Sequence, residues 1–149
     1  GGGGRMQPRR RAQLSRPDDQ LTSFLADGGA PDRARVLVES FATSNSLGHD
    51  SQLRLELVLE ELVMNTLAHG AAPEDSQIRV QLHMSGGLVR ILYEDHGIPF
   101  DPRGTPSRRD ADPWHVGGFG WDLVRGMCDQ VGYERRGDTN VITATLTLA

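Results

Sequence analysis

Lysine is missing from this 149-residue chain: all 16 of its basic side chains are arginine. The gap excludes the lysine-bearing phosphate loop of P-loop nucleotide hydrolases, the strand lysine of ordinary protein kinases and any Schiff-base chemistry. Cysteine is nearly missing too. A single residue, Cys128, permits no internal disulfide and no cysteine-rich zinc site, and it fits a reducing compartment, so a cytoplasmic setting is expected. No apolar run approaches the ~18 residues of a membrane span. The stretch from Gly1 to Arg16 is rich in Gly and Arg without an apolar core, so neither a signal peptide nor membrane association is expected. The 5 histidines are scattered, and none forms a pair at metal-ligand spacing.

What is present amounts to one domain of ordinary soluble composition, 37% hydrophobic and 24% charged. The net charge of −4 is unevenly placed. Residues 1–16 hold 5 Arg (5, 9, 10, 11 and 16) and no acid, which leaves 11 Arg against 20 acids, or −9, in residues 17–149. That balance argues against nucleic-acid binding by the folded body. The expected organisation is a disordered basic arm over 1–19, with Gly1–Gly4 read as a cloning remnant, followed by one domain over 20–149.

Within the domain, Gln20–Ala26 is compatible with a first strand. Ala30-Pro31-Asp32 opens a helix to about Ser46, and Val36, Leu37, Phe41 and Ala42 supply its apolar stripe. After a break and cap at Gly48–Ser51, a longer helix runs to His69 and stops at Gly70 and Pro73. From Gln77 the period changes to 2, giving a strand through Met84, a turn at Ser85-Gly86-Gly87 and a return strand over Leu88–Asp95. Residues 96–116 carry proline, glycine and charge without periodicity and read as a functional loop or lid. Gly117–Gly120 leads into a helix to about Gln130. Val131–Arg136 and Val141–Leu148 then close a hairpin over Gly137–Asn140, with Thr143, Thr145 and Thr147 wet and Ile142, Ala144, Leu146 and Leu148 dry. The expected fold is an α+β two-layer sandwich, a mainly antiparallel sheet covered by helices on one face.

Three segments could carry chemistry. The long helix is nearly all apolar from Leu55 to Ala68, yet Glu60, Glu61 and Asn65 interrupt it, and Glu61 and Asn65 lie one turn apart on one face. Alone this fits a wet stripe; the functional reading is a general base and a metal-orienting amide lining a pocket, and only the partnership with Asn65 separates Glu61 from Glu60. Asp95 ends a strand on the side shared by Val89, Ile91 and Tyr93, and Gly97 permits close backbone approach. In isolation that is a strand and an ordinary turn. Gly117-Gly118-Phe119-Gly120 before a helix could present backbone N–H groups to phosphate, although no strand–turn–helix unit supports a dinucleotide reading.

Taken in order, the three segments resemble the boxes of the GHKL ATP-binding family (Bergerat fold), and most closely its small bacterial anti-sigma factor serine kinases. Glu60-Glu61-Leu62-Val63-Met64-Asn65 with His69-Gly70 looks like the N box. Asp95-His96-Gly97-Ile98-Pro99-Phe100-Asp101-Pro102 looks like the first glycine box, and Gly117–Val124 like the second. Asp129, Tyr133, Arg135 and Asn140 also have the look of this branch.

The resemblance implies an ATP- and Mg²⁺-dependent serine/threonine-protein kinase acting as an anti-sigma factor. It would phosphorylate a STAS-domain anti-anti-sigma protein, bind a sigma factor and form a homodimer. Asn65 would hold Mg²⁺, Asp95 would accept from the adenine amino group and Gly97 would make room for the ring. Gly118, Phe119 and Gly120 would line the phosphates, and Glu61 would be the base for the attacking hydroxyl. Trp121 departs from the family pattern, and no Arg directly precedes the glycine cluster. Arg103, Arg108, Arg109 and His115 are expected to be solvated loop residues, with reach to the γ-phosphate as the other possibility. Cys128 and Met127 are expected in the core. Two other readings stand beside the kinase: an ATP-gated binding switch with little transfer, and the catalytic domain of a histidine kinase.

Overall fold

The structure is a computed structural model that describes residues 19–69, 75–104 and 121–148. Its sheet has 5 strands in the order β1-β2-β3-β5-β4: β1 (Asp19–Leu25), β2 (Gln77–Ser85), β3 (Leu88–Asp95), β4 (Gln130–Arg136) and β5 (Thr139–Thr147). Every pairing is antiparallel. The helices α1 (Ala30–Ser44), α2 (His49–His69) and α3 (Trp121–Met127) complete the described elements, with a single 3-10 turn at Pro102–Gly104.

Period-2 patterning gives the sheet one dry face. Ile78, Val80 and Leu82 of β2, Val89, Ile91 and Tyr93 of β3, and Ile142, Ala144 and Leu146 of β5 are all buried. They form one cluster with Leu37, Val38 and Phe41 of α1 and Leu55, Val58, Leu59, Leu62 and Val63 of α2. The helices therefore lie on one face, as the sequence predicts, while Arg79, Arg90 and Thr143 on the alternate positions face water.

Local signals explain the element ends. Asp27 accepts from the Gly29 amide at 2.9 Å and Pro31 sits in the first turn of α1, where a missing N–H costs nothing. At its other end Ser46 takes a left-handed φ of 53°, while Ser46 N–H bonds Thr43 and Leu47 N–H bonds Ala42, closing a Schellman motif. Gly48 accepts the first helical bond of α2, from Gln52 at 3.0 Å, so the helix starts at His49, two residues ahead of the expected Ser51. The turn between β2 and β3 places Gly86 at φ 57° and Gly87 at φ 80°, the two left-handed positions of a tight hairpin.

Two later boundaries differ from expectation as well. Helix α3 ends at Met127 rather than near Gln130, because the Asp129 amide is captured by the Thr145 carbonyl at 2.7 Å and the chain turns into β4. The closing hairpin turns on Gly137 (φ 58°) and Asp138 alone, with Arg136 opposite Thr139. Asn140 is thus a strand residue, set across from Asp95 in the β3–β5 register. Arg54 of α2 ties the layers at one end by donating to the carbonyls of Thr147 and Met127, both at 3.2 Å.

Candidate functional site

The last turns of α2 meet the end of β3. Burial separates the two adjacent glutamates: Glu60 is exposed, whereas Glu61 is only 5% exposed and Asn65, one turn on, only 6%. Helix α2 is apolar on most of its circumference because it is the central helix of the layer, packed between α1 and α3. A carboxylate and an amide are therefore held at its inner side rather than in a solvated stripe.

Asp95 closes β3 on the dry side, 6% exposed, directly after the fully buried Val89, Ile91 and Tyr93 positions. Its Oδ1 accepts from the Gly97 amide at 3.1 Å and from Asn140 Nδ2 at 2.8 Å. Its Oδ2 accepts from Thr66 Oγ1 at 2.7 Å. Thr66 is the residue after Asn65, so this bond brings the N-box helix and the first glycine box together.

A second buried hydroxyl stands behind Thr66. Tyr93 Oη lies 2.6 Å from Thr66 Oγ1 and 3.2 Å from the Leu62 carbonyl. Thr66 has one proton, and the carboxylate is its nearest acceptor that cannot itself donate, so the Tyr93 O–H is the donor to Thr66. Complete burial pushes the Tyr93 phenol up, well above its ordinary value, which keeps it a protonated donor.

The loop after β3 is fixed from the opposite side by the closing hairpin. Asn140 Nδ2 also donates to the Ile98 carbonyl at 2.7 Å, and its Oδ1 accepts from the Phe100 amide at 3.3 Å and from Tyr133 Oη at 2.6 Å. Asn140 is 2% exposed, and both donor and both acceptor positions of its amide are used. Arg135 donates to the Gly97 carbonyl at 2.7 Å. Arg103 binds Asp101 through several contacts of 2.7–3.2 Å and holds that carboxyl below its ordinary value. Its guanidinium is engaged within its own turn.

Glu61, Asn65, Asp95 and Gly97 are thus placed by α2 and the end of β3. Gly118, Phe119 and Gly120 lie outside the described residues, as do Arg108, Arg109 and His115; α3, which begins at the next residue after the cluster, packs on α2. Thr66 and Tyr93 have no role in the sequence reading. The available signal was polarity: a threonine beside Asn65 in an apolar helix, and a tyrosine on the dry face of a strand. Tyr133, Arg135 and Asn140 belong to the resemblance without a task; here they form the loop clamp.

Cys128 and Met127 pack against the core as expected, and burial pushes the Cys128 thiol up to about 11. Among the described residues no cluster of His, Cys, Asp and Glu could hold a metal by itself, and no helix is long and apolar enough to cross a membrane.

Comparisons with known proteins bear on the family and the fold. The model of the Histidine kinase-like ATPase domain family matches residues 12–146. Serine/threonine-protein kinase BtrW of Bordetella bronchiseptica is 29% identical over 101 residues, which cover 64% of this chain and 71% of that protein. Among solved structures, the RsbU and RsbW domains of Rv1364c from Mycobacterium tuberculosis share the fold with a TM-score of 0.62 at 15% identity, covering 87% of this chain. The chain spans only 32% of that structure's length. The catalytic domain of histidine kinase ThkA superposes more loosely, with a TM-score of 0.48 at 18% identity over 86% of this chain and 97% of that one. With a family match running from residue 12 almost to the end of the last strand, and the fold and motif order to go with it, the chain belongs to the histidine kinase-like ATPase domain family, within the GHKL group.

Proposed function

We propose that the chain is an ATP-dependent serine/threonine-protein kinase that acts as an anti-sigma regulatory factor, its ATP-binding kinase domain spanning residues 20–149. In this reading it transfers the γ-phosphoryl group to a hydroxyl of a STAS-domain anti-anti-sigma protein, binds a sigma factor and works as a homodimer in the cytoplasm. The observation that carries it is the pair of buried polar groups on α2: Glu61 and Asn65 are held at the inner side of an apolar helix, and Thr66 bonds them into the neighbourhood of Asp95. A domain that only bound partners would have no need to keep a carboxylate buried there. The name of the Bordetella relative supports a hydroxyl rather than a histidine as acceptor.

The residues suit the cofactor. Mg²⁺ takes hard oxygen ligands and few of them from protein, and the Asn65 amide oxygen is such a donor. Bound there, it would supply charge neutralisation to the phosphates. Asp95 is an acceptor for the adenine amino group, and Gly97 leaves the ring room. Gly118, Phe119 and Gly120 would give backbone contacts to phosphate. Glu61 orients the partner's hydroxyl and takes its proton as the new O–P bond forms and the bond from Pγ to the bridging oxygen of ADP breaks. Positioning and charge account for most of such catalysis, so the missing lysine is no obstacle.

The test has two stages. Calorimetric titration with a non-hydrolysable ATP analogue should show micromolar binding that depends on Mg²⁺. Glu61→Ala should keep that binding and lose transfer of labelled phosphate to STAS proteins of the same genome. Transfer by Glu61→Ala at the wild-type rate would remove the base assignment.

A further inference from the structure

We propose that Thr66, backed by Tyr93, is a positioning residue that leaves the Asp95 carboxylate one open acceptor, and so sets the preference for a 6-aminopurine over a 6-oxopurine nucleotide. The inference rests on the reading of Asp95 as the base acceptor and goes beyond it to the residues that aim it.

An ionised carboxylate has about four acceptor positions. Among the described residues three are filled: two on Oδ1, by Gly97 and Asn140, and one on Oδ2, by Thr66. One position on Oδ2 remains. The terminal torsion of an aspartate is broad and roughly two-fold, so a carboxylate gripped at one oxygen only can swivel. The Thr66 bond is the second grip. Thr66 itself is 4% exposed and is held from behind by Tyr93. The chain of donors therefore runs Tyr93 to Thr66 to Asp95, all of it buried.

A carboxylate fixed in this way offers a lone pair and no proton. It matches an exocyclic amine, which donates, and repels a 6-oxo group, which only accepts. Once the carboxylate can swivel, the lone pair is aimed less well at the amine, and the discrimination falls. Loss of general stability would weaken both nucleotides alike, because they carry the same ribose and triphosphate.

The experiment compares non-hydrolysable analogues of ATP and ITP by calorimetry on wild type, Thr66→Val, Thr66→Ser and Tyr93→Phe of the full chain. Wild type should favour the adenine analogue. Thr66→Val removes the hydroxyl and keeps the shape; it should weaken the adenine analogue about tenfold and the inosine analogue little, shrinking the ratio. Thr66→Ser should restore the wild-type ratio, and Tyr93→Phe should shrink it a few-fold. A Thr66→Val ratio equal to wild type overturns the proposal, and where Thr66→Val does not fold, an unchanged ratio in Tyr93→Phe does so. A wild type that binds both analogues equally overturns the reading of Asp95 and this proposal with it, an outcome separate from loss of the Thr66 effect alone.

Discussion

Asp95 receives three hydrogen bonds from donors that are themselves buried or fixed, so its replacement acts at both ends of each bond. Asp95→Asn sets an amide N–H against one of those donors and removes an acceptor. ATP affinity should fall ten- to a hundredfold in titration, with about 1–3 kcal/mol lost in urea unfolding. Asn140→Ala strips a fully bonded amide from the loop and should cost about 2–4 kcal/mol by the same measurement, more than any exposed ion pair of the surface. Cys128 gives a pH prediction. Its thiol is pushed up to about 11 in the fold from the ordinary 9.0, so the folded chain resists ionising a group that the unfolded chain ionises first. The contribution to stability is complete below about pH 9 and is lost as pH rises through 11. Unfolding midpoints followed upward from pH 8 should decline over that window, and less so in Cys128→Ala. Residue chemistry was only half legible in the sequence. Asp95 and Asn65 stand in recognisable strings, but the partners that aim Asp95 are ordinary residue types whose meaning appears only when strand and helix are brought together.

Among the elements, α2 was read almost to its ends, because 3.6-residue periodicity survives whatever the rest of the fold does. Its polar residues were ambiguous for a related reason: the spacing of Glu60 and Glu61 says which face each occupies but not which face is inward, and that is decided by α1 and α3. Leu59, 1% exposed at the centre of α2, should cost about 2–5 kcal/mol as Leu59→Ala, measured by chemical unfolding. The end of α1 offers the opposite sign. Ser46 holds a left-handed φ of 53° where glycine carries no Cβ penalty. Ser46→Gly should raise stability by about 0.5–1 kcal/mol, a shift of a few degrees in melting temperature. The strands were legible by alternation, and the hairpin turns by their glycines. The misplaced positions were Thr139 and Asn140, since asparagine shortly after Gly137-Asp138 reads as turn chemistry until the two-residue turn sets the register.

For the molecule as a whole, the α+β sandwich with helices on one side followed from the order of periodicities, whereas the strand order did not. Nothing local in β1 says that it pairs with β2, about fifty residues downstream, and takes the edge of the sheet. Exposed Leu21 and Leu25 on that edge, with Val36 on α1, suit the proposed homodimer. Leu21→Lys with Val36→Glu should lower the sedimentation coefficient to that of a monomer while leaving the circular dichroism spectrum intact. Removal of residues 1–18 should leave ATP-analogue affinity within about twofold, because the proposed site residues that the structure describes stand on α2, β3 and the loop after it. The clamp by the last hairpin has a further consequence, in the time domain of synthesis. Every motif residue from Glu61 to Gly120 leaves the ribosome before Tyr133, Arg135 and Asn140 do. A nascent chain, or one clipped after Gly137, holds the complete set of motifs but lacks the Asn140 bonds to Asp95, Ile98 and Phe100. On the proposed reading, nucleotide capture would wait for this last hairpin, and a protease that trims the final strand should abolish ATP-analogue binding without touching one residue of the motifs.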